Sequence, residues 1–307
     1  MRRFAVLLAA TMAVAAVGYS TLWYYFARSL EAQLPAWAEA QRAQGYNVGW
    51  RTAEVGGFPL ALKVDFSGAS LRTARPFPYA VHADALGIAT RPWDWRRWRF
   101  TAPEGAHLDI EGGPGFNLAR IDGTVGDDGD GLAMSTTGMS LDGTGIAAGL
   151  SAAALDFRLN LPPNPPRADR DPLAAVSAKL ADLTLPRAPE AVRRLDALDL
   201  ALTLRGVLPP GPLQAALAAW RDGGGTLDLD RLRLARGGAI ADLEGTLALD
   251  AALQPEGALT ATLSGTDALV DDLVTAGALK ARFAGVAKAM LGAIATTGAH
   301  GTIRVPI

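Results

Sequence analysis

The sequence predicts an α+β protein that is mainly antiparallel β: an elongated curved sheet or β-groove with a few covering helices, following an N-terminal transmembrane helix. Three observations carry this expectation. Residues 4–26 form an uncharged, mostly apolar run between Arg2-Arg3 and Arg28. After Gly45 the hydrophobic period changes from nearly four to two, the switch from helix to strand. Turn chemistry then punctuates the alternating runs at Gly112-Gly113-Pro114, Asp122-Gly123, Asp130-Gly131 and Asp142-Gly143.

The apolar run, as a helix, is long enough for about 30 Å of hydrocarbon at about 1.5 Å per residue, and Trp23, Tyr24 and Tyr25 stand where an interfacial aromatic belt belongs. A cleaved secretory signal is the rival reading, because Ala13-Val14-Ala15 has the small-x-small form of a processing site. The run continues about three helical turns past that site, which favours retention. With Arg2 and Arg3 held inside, the chain from Arg28 onward lies outside the cytoplasm, so the expected location is a bacterial inner membrane with the bulk in the periplasm. Residues 27–44 continue the helix, with Leu30, Leu34 and Trp37 at i, i+4 and i+7, Gly45 as C-cap and Pro35 as a kink or restart. This segment reads as a stalk packed on the domain, or as a helix lying on the membrane.

Leu60, Leu62, Val64 and Phe66 alternate with small or charged residues, as do Ala106, Leu108 and Ile110, and Leu155, Phe157, Leu159 and Leu161. Five prolines between residues 162 and 172 can continue neither ladder nor helix. Beyond them come a strand at Leu198–Leu204, a short helix with Pro212 at its first turn and a Leu213, Leu217, Trp220 stripe, and a meander at 226–235, 239–250 and 257–264. The apolar positions slip from Leu227 and Leu229 to Leu232 and Leu234, so a bulge is expected at Asp230-Arg231. Asp267 caps a helix carrying Leu269 and Leu273; another carries Leu279, Phe283, Val286 and Met290, and the two are expected to cover an apolar sheet face. The organisation is thus a membrane anchor at 1–26, a juxtamembrane helix at 27–45, a β-rich subdomain at 46–161, a Pro-rich linker at 162–172 and a β-meander subdomain with helices at 173–307.

Composition narrows function by exclusion. Cysteine is absent, so neither disulfides nor lipidation through a cysteine are available. A net charge of -2 and a pI near 6.0, with no long basic run, argue against nucleic acid as a partner. No G-x-S-x-G, H-E-x-x-H, Walker or C-x-x-C motif occurs. Gly143-Thr-Gly145 with Gly149 lies between strands, not at a helix start, so it is no dinucleotide loop. His82 with Asp84 and His107 with Asp109 each share a strand face and could converge on a metal only if their strands were neighbours; wet-face positions are the plainer reading. Gly126–Gly131 has a calcium-loop flavour without the later bidentate Glu, and sits where a hairpin turn is due. No enzymatic activity, cofactor or metal is expected.

Residues 91–100, Arg-Pro-Trp-Asp-Trp-Arg-Arg-Trp-Arg-Phe, are the most unusual stretch. Extended, they put Trp93, Trp95, Arg97 and Arg99 on one face. Arginine forks suit phosphate and tryptophan suits the water–lipid boundary, so Trp93, Trp95, Arg97, Trp98 and Arg99 are the candidate lipid or membrane contacts, against Arg–Trp stacking without a ligand. The sheet from about 46 to 161 has an apolar face and no helix of its own, so a second layer, the C-terminal helices or a lipid's acyl chains must bury it.

Val55-Gly-Gly-Phe-Pro-Leu60 after an N-terminal helix, Arg91-Pro-Trp before Arg97-Trp98, Trp220-Arg-Asp-Gly-Gly-Gly225 and Gly245-Thr-Leu-Ala-Leu-Asp250 followed by Gln254-Pro-Glu-Gly257 together resemble the bacterial family known as domain of unknown function 2125, over about the whole exported chain. That resemblance implies no activity and no catalytic residues, and it implies one more strand after the stretch Gly301–Ile307. The C-terminal meander is also similar to AsmA-like envelope proteins, whose long β-grooves are linked to lipid traffic. The expected function is therefore a non-enzymatic, membrane-anchored periplasmic protein binding lipid or another apolar envelope component; the alternative is a structural or assembly partner of another envelope complex.

Overall fold

The computed structural model describes residues 2–73, 78–110, 113–126, 131–142, 148–188, 193–209, 213–275, 277, 279–297 and 302–306, with the side chains of 2–10, 213, 266, 269 and 291–306 outside the described set. One antiparallel sheet of sixteen strands accounts for most of it. Its path runs through β1 (Tyr46–Gly49), β3 (Leu62–Thr73), β4 (Tyr79–Arg91), β5 (Asp94–Ala102), β7 (Gly115–Gly126), β8 (Leu132–Asp142) and β10 (Ala154–Asn160). It continues through β11 (Pro172–Thr184), β12 (Arg194–Arg205), β13 (Thr226–Arg236), β14 (Ala239–Leu249), β15 (Pro255–Ser264) and β16 (Thr302–Pro306). Beside the path, β2 (Thr52–Gly56) pairs with β3, β6 (Ala106–Ile110) with β4 and β7, and β9 (Ser151–Ala152) with β8 and β11. Twelve interstrand steps of about 4.8 Å make a sheet about 58 Å across.

The helices are α1 (Arg2–Ala43), α2 (Leu213–Asp222), α3 (Thr266–Thr275) and α4 (Ala284–Thr297). Gly45 closes α1 as expected, at φ +94° with its N–H donating to the Arg42 carbonyl over 3.0 Å. The packed stripe of α1 is corrected in one position: Trp23, Ala27 and Ala38 are buried and Leu30 and Leu34 half-buried, while Trp37 is exposed. Spacing by four brings Ala38 under Leu34, and an alanine lets the helix lie close to β1 and β2.

Alternation places three apolar rows on one face. Val64, Ile88, Phe100, Gly123, Met134, Phe157, Ala178, Leu200, Leu232, Leu243 and Ala261 follow one another from strand to strand. A second row joins Leu62, Thr90, Trp98, Val125, Leu132, Leu159, Val176, Leu202 and Leu229, and a third joins Ile121, Thr136, Leu155, Leu180, Leu198 and Leu234. Asp122-Gly123 lies inside β7 instead of at a turn. The ring of Phe100 rests on Gly123, where a Cβ would come within 2.1 Å of it, so this glycine serves packing and not chain reversal. The bulge in β13 lies where expected: the register shifts between Leu229 and Leu232, and the extra residue returns both leucines to the apolar face.

Helices pack at the two ends of the sheet: α1 on β1 and β2, α3 on β14, and α4 on β16. The expectation that both C-terminal helices cover the sheet holds for α3, whose Val270 is 1% exposed, but α4 presents Val286 and Met290 to solvent, with Phe283 just before it also exposed. Asp267 lies in the first turn of α3, after Thr266, and is not its cap. Among the described residues, the substantial helix-to-sheet contacts fall on β1, β2, β14 and β16, and none falls on β7–β11. The accessible surface is 19,024 Å², against about 12,200 Å² for a compact monomer of this mass. The single layer of the sheet and the projecting start of α1 both contribute to the excess.

The Pro-rich stretch connects β10 to β11, which pair residue by residue from Ala154–Ala181 to Asn160–Ala175, so the ladder runs on across it. At its end the N–H groups of Arg167 and Ala168 donate to Asp171 and hold its carboxyl below the usual range. Trp220 of α2 donates its indole N–H to the Arg205 carbonyl over 2.7 Å and lays its ring on Gly225, where a Cβ would meet it at 2.2 Å. Gly225→Ala therefore overpacks this joint and costs about 1–3 kcal/mol in urea unfolding of the chain.

Arg205 also pairs with Asp228, which accepts a second bond from Thr246 Oγ1 at 2.9 Å; the guanidinium is the main reason the Asp228 carboxyl titrates below its ordinary value. A depressed folded value means that the stabilisation is complete above the unfolded value of about 3.9 and is lost as pH falls through the folded one. The thermal midpoint accordingly declines below about pH 4, and Asp228→Asn declines less steeply over the same range while being less stable at pH 7.

Candidate functional site

The most distinctive assembly of side chains lies where α1 meets the first strands. Gly57, at φ +98°, folds the Gly57–Ala61 loop so tightly that a Cβ there would meet the Ala61 carbonyl oxygen at 2.7 Å, and the Ala61 N–H returns to the Gly57 carbonyl over 2.9 Å. The loop thereby projects Phe58, joined to Pro59 by a cis peptide, against α1. Ring centroids of Tyr19, Trp23 and Tyr24 stand 6.3, 5.3 and 5.7 Å from that of Phe58. Trp23 donates its indole N–H to the Ala61 carbonyl over 3.0 Å, and the Tyr19 hydroxyl donates to the Pro59 carbonyl. Each buried polar edge is satisfied, so the aromatic faces are free to pack.

The β4–β5 turn reaches the same place. Trp95 meets Phe26 of α1 edge-on, centroids 6.0 Å apart. The expectation that Trp93, Trp95, Arg97 and Arg99 share one face is corrected, because residues 91–100 are not an uninterrupted strand. Thr90 pairs with Trp98 and Arg91 with Asp94, so residues 95–97 loop out between the two pairs. The buried Thr90 hydroxyl fixes this bulge, lying 2.8 Å from the Asp94 carbonyl and 2.9 Å from that of Arg97. Trp93 occupies the turn and is 63% exposed. Trp98 belongs to the apolar row with Val125 and donates its indole N–H to the Trp95 carbonyl over 3.1 Å. Arg97 and Arg99 do come together, lining a hollow of about 230 Å³ with Arg91, Asp94 and Thr124. Three guanidinium groups beside one carboxylate suit a phosphate-bearing headgroup.

A wider hollow of about 650 Å³ continues along the polar face, where Arg99, Asp122, Asp156, Arg158 and Lys179 stand on neighbouring strands. Its charges are mixed. A third hollow, about 480 Å³, holds the histidines. Their strands are indeed neighbours, with His82 opposite His107. Antiparallel pairing sends their aspartates in opposite directions, His82 towards Asp84 at 3.4 Å and His107 towards Asp109 at 3.0 Å. Asn117 takes up the other nitrogen of His107 at 2.6 Å and donates to Asp142 over 2.9 Å. Among the described residues, no group of three or more His, Cys, Asp or Glu is disposed to hold a metal ion. The calcium-like loop lies mostly outside the described residues.

Sequence reasoning missed the clasp of Tyr19, Trp23 and Phe58. The signal was available in the Gly57-Phe58-Pro59 turn and in aromatics spaced by four on α1, but only the fold shows that they meet. Among the described residues, no helix is long and apolar enough to cross a membrane. A model of a family of uncharacterised proteins conserved in bacteria, domain of unknown function 2125, matches residues 23–307, and the chain belongs to that family. Searches among curated proteins and among solved structures found no match. The matched region opens at Trp23, the residue that fastens α1 to β3 through Ala61 and Leu62.

Trp23→Ala removes the indole donor and the ring between α1 and the sheet. Amide exchange across residues 19–38 should accelerate by the equivalent of about 3–5 kcal/mol, while exchange in β10–β13 stays as it was.

Proposed function

We propose that this member of the 2125 family is a non-enzymatic, membrane-anchored protein of the bacterial envelope that carries lipid on the apolar face of its sheet. The observation that supports the reading best is the set of apolar rows crossing the strands with no substantial helix contact on β7–β11 among the described residues. A single layer with an apolar face needs something apolar against it. The occupant we favour is a phospholipid, because the rows begin beside α1, whose residues Met12, Val14, Val17 and Leu22 are exposed, and because the same end of the sheet carries, on its opposite polar face, a hollow of arginines fit for a phosphate.

In this reading the uncharged run of residues 4–26 anchors the chain, and Arg2-Arg3 keep its start in the cytoplasm with the sheet in the periplasm. The curved or grooved form of the sheet and its likeness to AsmA-like lipid-handling proteins belong to the same proposal. The exposed α4 stripe of Val286 and Met290 favours a second reading, docking of another envelope protein, which predicts a stable complex without bound lipid.

Native mass spectrometry of the full chain purified from bacterial membranes and released from micelles tests the first reading. Phospholipid adducts are expected, and they should fall several-fold in Val176→Asp and Leu202→Asp, a cross-strand pair at the centre of the face, with circular dichroism confirming that both variants fold. A bare chain in every preparation contradicts it.

A further inference from the structure

The strand ends are not alike, and the difference assigns an orientation. Trp23 of α1 is bonded to Ala61 at the start of β3, and α1 leads into β1, whose Tyr46 pairs with Thr73 at the end of β3. The helix therefore runs along β3 from its first residue to its last. Residues 2–18 continue about 25 Å past the sheet at about 1.5 Å per residue. On the rim that α1 overshoots lie the Gly57–Ala61 loop, the Pro92-Trp93 turn, the end of β7 at Gly126, the Pro-rich segment, the end of β12 at Arg205 and the turn after Asp250.

Large exposed apolar side chains concentrate on this rim. Among the described residues outside α1, Phe58, Leu60, Trp93, Trp95, Val125, Leu161 and Val207 are exposed, and every one of them lies at or beside it. The remaining three, Phe283, Val286 and Met290, lie in or next to α4 near the opposite rim, where nothing in the structure shows what covers them. Folding gives no reason to expose Leu60 at 68% or Trp93 at 63% on loop tips. Arg91 and Arg96 stand exposed beside Trp93 and Trp95, and Tyr24, Tyr25 and Phe26 lie level with them on α1. Indole and phenol rings with arginines around them suit the headgroup layer of a phospholipid bilayer.

We propose that this rim is a membrane-seating surface: the strands stand along the bilayer normal, the loop tips enter the headgroup layer, and the apolar face opens directly onto the lipid. This rests on the anchoring of α1 and adds a second, separable contact. The sheet's second apolar row, from Trp98 and Val125 to Leu132 and Leu159, lies next to the seated rim, so an acyl chain could pass from bilayer to sheet without crossing water.

The absence of cysteine makes the test direct, since any introduced thiol is unique. Val14→Cys, Leu60→Cys, Trp93→Cys, Leu161→Cys and, on the opposite rim, Glu104→Cys are labelled with a polarity-sensitive fluorophore. Each full-length variant is reconstituted in phosphatidylethanolamine–phosphatidylglycerol vesicles with shallow nitroxide-labelled lipid, after circular dichroism has shown native strand content. The expected result is quenching at 60, 93 and 161 at least 5-fold stronger than at 104, together with quenching at 14. Quenching at 14 with 60, 93 and 161 no different from 104 overturns the seating surface and leaves the anchor standing. Quenching at 60, 93 and 161 without 14 supports the surface and overturns the anchor. Shielding of 60, 93 and 161 that persists in detergent, with disulfide cross-links between unlabelled copies, overturns the surface in favour of contact with a second chain.

Discussion

Everything distinctive here depends on backbone register. Because side chains alternate with a period of two, a slip of one residue at any ladder would turn an apolar row to the opposite face. The chain keeps its rows from β3 to β15, and where β13 carries an extra residue the bulge absorbs it, so that Leu229 faces Leu202 and Leu232 faces Leu200. Glycine helps at the same points. Gly123 lets Phe100 lie flat, and Gly245 stands in the row between Leu229 and Leu259. The rows have physical meaning only because the register is held.

A second consequence follows from having one layer. A two-layer domain hides its apolar faces against each other. This sheet instead carries α1, α3 and α4 towards its ends and α2 at the β12–β13 joint, and half-buried residues take the place of a deep core: the buried clusters are small, one under α1 at Trp23, Ala27 and Leu62, one at Ala83, Ala102 and Ile121, and one at Ala152, Leu183 and Leu195. Stability therefore rests on neighbouring strands and on a few joints, such as Trp220 on Gly225 and Arg205 with Asp228. The same economy leaves surface for a ligand, which links the fold to the proposed function.

Much of the fold was legible because its signals are local. The switch of period after Gly45, the meander from Thr226 to Ser264 and the bulge at Asp230-Arg231 all follow from alternation and were placed within a residue or two. Asp122-Gly123 misled because a dipeptide that suits a turn also suits a strand when an aromatic ring needs the room. The Trp/Arg stretch is recognisable as unusual, yet alternation misassigns its faces, since the bulge at Thr90 depends on one hydroxyl lying near the carbonyls of both Asp94 and Arg97. Helical spacing points to Trp37 for the packed face where Ala38 is the buried residue, because a small residue at a close contact carries little hydrophobic signal. The aromatic clasp joins residues about forty positions apart, which no periodicity can show.

The central claim is that lipid occupies the open face of the sheet away from the anchor. Photocross-linking the full-length chain in vesicles with a phospholipid bearing a diazirine in its acyl chain, followed by peptide mapping, tests it most directly. The account predicts adducts on Leu132, Leu159, Val176 and Leu202, the row that crosses β8, β10, β11 and β12. Adducts confined to α1 and the rim loops would contradict it.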